Sequence, residues 1–129
     1  VKHFMIDEHF AYKFAEDWIA SWNSHDLERI LSHYTDDFEF ESPKALKLVP
    51  ESGGVLKGKE AIRAYWTKGL QVIPDLFFEV YEVFVGIHGI TIYYINHATE
   101  GKAAEVFFFN EEGKVNRSYA FYLAEKSSD

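Results

Sequence analysis

LFFEVYEVFVGIHGITIYYINHATEGKAAEVFFFNEEGKVNRSYAFYLA, residues 76–124, is the stretch that decides the fold. Four runs rich in β-branched and aromatic residues, roughly 76–85, 90–99, 103–110 and 114–124, are punctuated by Ile87-His88-Gly89, Glu100-Gly101 and Glu111-Glu112-Gly113. Runs of this composition separated by short turn signals predict an antiparallel meander. Several of the runs are apolar at consecutive positions, most clearly Ala103 to Phe109, whereas a strand with one face in water alternates. Both faces of this sheet therefore need cover.

The cover for one face lies upstream. Phe10, Phe14, Trp18 and Trp22 recur every fourth residue between about Asp7 and Trp22, with Ala11, Ala15 and Ile19 beside them, which is the stripe of an amphipathic helix. Asn23 to Asp26 interrupt the pattern, and Leu27, Ile30, Leu31 and Tyr34 resume it as a short second helix capped by Ser24 or Asp26. From Asp37 to Ser42 acidic residues alternate with Phe38, Phe40 and Ser42, the period of a half-buried strand that Pro43 ends. A loop follows as far as Gly58, and Ala61, Ile62, Tyr65, Trp66, Gly69, Leu70 and Ile73 mark a third helix stopped near Pro74. Helices followed by a long antiparallel sheet define an α+β architecture, with about three N-terminal helices on one sheet face. A second copy of the chain is the simplest cover for the other face, so a homodimer through the sheet is expected.

A chain of 129 residues fits one domain, residues 1–129, with one core. Its 47% apolar and 26% charged residues are ordinary globular usage, but 18% aromatic is high and suits cavity walls or an interface as well as a bulky core. The net charge of -8 without a basic cluster argues against nucleic acid as a partner. No membrane helix or signal peptide is legible, and the absence of cysteine removes disulfides and thiolate chemistry, so a cytoplasmic location is expected. Val1 in place of an initiating Met leaves room for an earlier, removed segment.

The strings Trp22-Asn23-Ser24-His25-Asp26-Leu27, Tyr34-Thr35-Asp36-Asp37-Phe38, Gly58-Lys59-Glu60-Ala61-Ile62 and Phe109-Asn110-Glu111-Glu112-Gly113-Lys114-Val115, in that order and spacing, resemble the SnoaL-like proteins of the NTF2-like superfamily. That resemblance covers nearly the whole chain. It implies a cystatin-like cone, a curved and mainly antiparallel sheet enclosing a pocket, and frequent dimers. The superfamily holds enzymes, transport adaptors and assembly modules, so the fold leaves function open. Set beside its ketosteroid isomerases, the chain places Ser42 at the aspartate base, Trp18 at the helix-one tyrosine and Glu105 at the protonated acid. A serine takes no proton from carbon without a neighbouring base, so steroid isomerisation of that kind is not expected.

Glu105 is the one charge between Ala103 and Phe109. A carboxylate there must find a partner, stay at a wet rim or be protonated, and it serves either as an acid in the pocket or as a satisfied structural group. A two-residue turn at Glu100-Gly101 puts Asn96 opposite Glu105 and a three-residue turn puts His97 there; the isomerase comparison favours His97 as a base, against a surface histidine beside a turn. Trp18, Trp22, Tyr34 and Trp66 fall around the cavity in the same comparison, and Ser118 and Tyr122 share an inward face of the last strand. Phe107 shares the face of Glu105. Ser42 completes the candidate ligand-binding set.

Other patterns do not hold. Gly53-x4-Gly58-Lys59 imitates a phosphate loop, but Glu60 stands where Ser or Thr is required. The six histidines offer no metal-site spacing, so neither a metal nor another cofactor is expected. No Gly-x-Ser-x-Gly elbow exists. The leading expectation is a pocket protein for a small hydrophobic or aromatic molecule, with acid–base chemistry of isomerase or cyclase type if it is an enzyme. The competing one is a non-catalytic dimerisation or protein-interaction module. An open pocket holding Glu105 and His97 favours the first; a cone plugged by Trp18, Trp22 and Trp66 favours the second.

Overall fold

The computed structural model describes residues 5–125; Val1 lies outside them. Helix α1 runs Glu8–Ser24, and Asp7 caps it by accepting a hydrogen bond from the Phe10 N–H at 2.8 Å. It closes on His25, whose left-handed backbone (φ 61°) directs its N–H to the Trp22 carbonyl. Helix α2 is Leu27–Leu31, and of the two candidate caps it is Asp26 that accepts from the Arg29 N–H. Tyr34, expected at the end of this helix, instead opens strand β1, Tyr34–Glu41, because Ser32 and His33 form a turn.

The loop expected between Pro43 and Gly58 contains real structure. Helix α3, Pro43–Leu48, begins where Ser42 turns its hydroxyl to the Lys44 N–H at 3.1 Å, with proline at the first helical position, where no N–H is needed. A 3-10 turn at Pro50–Ser52 follows, then strand β2, Val55–Lys57, which pairs antiparallel with β1. Pro43 thus ends one element and starts another, and the short apolar pattern of α3 was too brief to show periodicity. Helix α4 spans Lys59–Val72.

Strands β3 (Phe78–Val85), β4 (Gly89–Asn96), β5 (Gly101–Phe109) and β6 (Val115–Tyr122) form the expected meander. The sheet order is β2-β1-β6-β5-β4-β3, with β1 parallel to β6 and every other pair antiparallel. The architecture is α+β, helices packed on a curved six-stranded sheet. One expectation fails at the β4–β5 turn: Asn96 pairs with Gly101, so residues 97–100 form the connection, with Glu100 at φ 59°. Ile92 is the residue opposite Glu105, not Asn96 or His97.

The core lies between α1 and the inner sheet face. Phe14 meets Phe107 and Phe109 edge-on at 5.2 and 4.9 Å, and Trp18 meets Tyr94 and Phe107 edge-on at 5.2 and 5.3 Å. Each such ring contributes about 1.5–3 kcal/mol through burial alone. Asn23 fastens the end of α1 to the start of β3, donating to the Phe78 carbonyl at 2.9 Å and accepting from the Phe78 N–H at 2.7 Å.

Candidate functional site

Toward the β4–β5 turn and the start of α3 the core opens into a cavity of about 120 Å³. Trp18, Trp22 and Trp66 form its helical wall, Phe78, Tyr94, Glu105 and Tyr122 its sheet wall, and Lys44, Thr99 and Gly101, which are solvent-exposed, its mouth. The three indoles are walls rather than a plug. A volume of this order accepts a single ring: an engineered apolar cavity of about 150 Å³ takes benzene.

Glu105 is buried at the cavity wall, and among the described residues its one side-chain hydrogen bond comes from the Tyr94 hydroxyl at 3.1 Å to Oε1. Tyr94 reaches it diagonally across the β4–β5 ladder, since Tyr94 pairs with Ala103 two residues away. No cation compensates the carboxyl, so burial raises its pKa from 4.5 to about 8, against the smaller lowering effect of the tyrosine bond. At neutral pH Glu105 is therefore mostly a neutral acid. Burial also raises the Tyr94 and Tyr34 hydroxyls well above their ordinary value, and Tyr65 as well. Tyr122 is likewise raised, chiefly by burial, while a hydrogen bond with Ser42 works against the shift.

At the mouth the Lys44 ammonium lies over the Tyr122 ring, 4.3 Å from its centroid, and partial desolvation lowers its pKa. Trp22 borders the cavity with its Nε1 unpartnered, and Asn96 uses its amide oxygen to accept from the Phe77 and Ala98 N–H groups. Among the described residues no group of three or more metal-ligating side chains converges, and no helix is long and apolar enough to cross a membrane.

The sequence profile of the SnoaL-like domain matches residues 15–122, which include every wall and mouth residue of the cavity. The chain belongs to the SnoaL-like family. A SnoaL-like protein of unknown function from Burkholderia thailandensis E264 is 40% identical, superposes with a TM-score of 0.89, and the match covers 94% of this chain and 100% of that one. More distant structures share the fold. One is a protein of unknown function with a cystatin-like fold from Methylobium petroleophilum PM1, at 14% identity and TM-score 0.74, covering 97% of this chain and 83% of that one. Another is the epoxide hydrolase/cyclase-like enzyme SalBIII of pyran ring formation in the polyether salinomycin, at 17% identity and TM-score 0.70, covering 91% and 93%. No curated protein is similar in sequence.

Within this SnoaL-like chain, Trp18, Trp22, Trp66, Glu105 and Tyr122 line the cavity together. Ser42 stands behind Tyr122, its Oγ 3.5 Å from the hydroxyl. Tyr34 lies deeper and accepts the Trp18 Nε1–H at 3.1 Å, Phe107 packs beneath Trp18, and Ser118 is buried away from the lining with no partner for its hydroxyl. His97 is a correction. The four-residue turn carries it past the end of the ladder to the surface, where its Nε2 lies 2.7 Å from Glu79 Oε1. It does not face Glu105.

Sequence reasoning did not single out Tyr94, Lys44 or Tyr65 as site residues. Tyr94 shares the inward phase of Ile90 and Ile92, which was legible only once the register was fixed. Lys44 fell in the supposed loop. A Ser–His contact, Ser21 Oγ to His33 Nε2 at 3.0 Å, makes no nucleophile, since Ser21 is buried in the α1 packing and donates its proton to the Asp17 carbonyl.

Proposed function

We propose that this protein binds a small, largely apolar or aromatic molecule in the cavity and performs cofactor-free acid–base chemistry on it, with Glu105 as the acid. The observation that carries the reading is the buried carboxyl of Glu105 in an aromatic wall, held by Tyr94 and by no cation. A neutral carboxyl donates to a carbonyl oxygen of a ligand, and once the proton has passed, the carboxylate left behind is an unusually basic one. That carboxylate takes a proton from the adjacent carbon of the same ligand, which closes a tautomerisation with no net loss of protons and no co-reactant. Isomerase- or cyclase-type chemistry of this kind needs no second base. The fold shared with an epoxide hydrolase/cyclase-like enzyme is consistent with it.

The test is a thermal-shift screen of the wild type and Glu105→Gln against small aromatic and unsaturated carbonyl compounds, followed by proton-exchange measurements on the hits. Stabilisation of both proteins, with exchange at the ligand carbon only in the wild type, supports the reading. A hit exchanged equally by Glu105→Gln overturns the catalytic role.

A homodimer through the outer sheet face is part of the proposal. That face carries Tyr81, Phe84 and Phe121 exposed and Tyr93, Val106, Phe108 and Tyr119 half-buried, with no helix over it among the described residues. The same face favours a second reading, an interaction module whose purpose is docking. Light scattering at micromolar concentration separates them from a monomer, and a dimeric mass that Phe121→Asp reduces to a monomeric one places the interface there.

A further inference from the structure

We infer that the ligand of this cavity is an anion, a flat, single-ring carboxylate or acid of similar size whose charged end lies against Lys44 at the mouth and whose apolar body reaches inward between Trp22, Trp66 and Tyr122 toward Glu105. The inference rests on the ligand-binding role proposed above and names the class of molecule that fills it.

The first support is charge. The chain as a whole is acidic, with 21 Asp and Glu against 13 Lys and Arg, yet among the described residues the cavity holds a single carboxyl and a single ammonium. Burial keeps that carboxyl protonated at neutral pH, so the net charge of the lining is positive. No carboxylate lies within ion-pairing distance of Lys44 among the described residues, as is also true of Lys47, Lys68, Lys102 and Lys114, but Lys44 alone of these lines the cavity. Its ammonium is placed instead over the Tyr122 ring, partly stripped of water, where an incoming carboxylate gains more than it would at an open surface.

The second support is the balance of donors and acceptors. Neutral Glu105 has a proton to give, and Asn96, also in the lining, spends its oxygen on two backbone N–H groups, which leaves its amino end for a ligand. A donor-rich lining selects a molecule that brings acceptor oxygens. The third is size, since a cavity of about 120 Å³ holds one ring and little more.

The experiment compares benzoate with benzyl alcohol, binding followed by NMR titration of the full chain, in wild type, Lys44→Met and Lys44→Arg. Methionine keeps the stem over Tyr122 without the charge, and arginine restores it. The expected result is that benzoate binds the wild type about tenfold or more tightly than benzyl alcohol. That preference is expected to vanish in Lys44→Met, return in Lys44→Arg, and leave benzyl alcohol binding unchanged throughout. Glu105 adds an independent readout. The titratable groups around it are Tyr34 on β1, Tyr94 on β4, Tyr122 on β6, Tyr65 on α4 and Lys44 on α3, so Glu105 is the acid whose ionisation near pH 8 adds negative charge to the cavity. Benzoate affinity is expected to fall as pH rises through that value, and Glu105→Gln to lessen the fall, leaving the part that comes from Lys44, whose own pKa is lowered by desolvation. Benzyl alcohol bound as tightly as benzoate, or a benzoate preference that survives Lys44→Met, overturns the anion and leaves the pocket. Failure of both compounds to bind overturns the ligand-binding reading together with this one.

Discussion

Tyr94 donates its hydroxyl proton to Oε1 of Glu105 at 3.1 Å, diagonally across the ladder of β4 and β5, and among the described residues it is the one side chain that hydrogen-bonds to this buried acid. The bond favours the ionised form, while burial favours the neutral form and wins.

The stability of the fold is therefore expected to decline with pH. The unfolded chain releases the Glu105 proton near 4.5 and the folded one near 8, so between those values the folded state binds more protons and stability falls. The contribution is full below about 4.5, is lost progressively up to about 8 at no more than about 1.4 kcal/mol per pH unit, and is flat above. Urea melts across this window are expected to show the decline in the wild type and a shallower curve for Glu105→Gln, which has no proton to release.

Tyr94→Phe removes the donor and keeps the ring against Trp18 and Phe78. The Glu105 pKa is expected to move further up, because the bond that lowered it is gone, and the protein to lose about 0.5–1.5 kcal/mol. Infrared difference spectra of the protonated carboxyl band, recorded against pH, measure the first effect; denaturant melts measure the second.

Asn23 sits in the string Trp22 to Leu27 that marks the family, and its role there is a clamp: both ends of its amide engage the backbone of Phe78. Asn23→Ala leaves that N–H and carbonyl without their partners and is expected to cost about 1–3 kcal/mol. Asn23→Asp keeps the acceptor and loses the donor, and is expected to fall between. Thermal melts of the three proteins order them. A surface asparagine would show no such series.

The clamp also shows what sequence could and could not reveal. Helix α1, helix α4 and the four-strand meander were legible because each is long enough for its period of apolar residues to repeat. Helix α3 and strand β2, six and three residues long, were not, and with them went Lys44 and the mouth of the cavity. The residues placed on helices, Trp18, Trp22 and Trp66, reach the cavity because a helix fixes its own face. His97 and Tyr94 depended on a turn length: the four residues from His97 to Glu100 send His97 out to Glu79 and set Ile92 opposite Glu105. A slip of one position in a strand exchanges its two faces, and nothing local in the sequence measures it.

Gly69 offers the last test, because it sits where helix stability and cavity room conflict. It lies inside α4, where glycine costs about 0.8–1.0 kcal/mol relative to alanine, and a Cβ built there meets nothing within 4 Å. Yet it lines the cavity. Gly69→Ala is expected to stabilise the fold by up to about 1 kcal/mol, since the helix gains and no neighbour is displaced. Gly69→Leu is expected to keep most of that helical gain while its side chain extends into the open space, so that aromatic compounds that stabilise the wild type no longer do so. Melts of both variants, with and without benzoate, measure the two effects in one series. If Gly69→Leu binds as well as the wild type, the glycine is not a wall of the functional site and the ligand lies nearer the sheet.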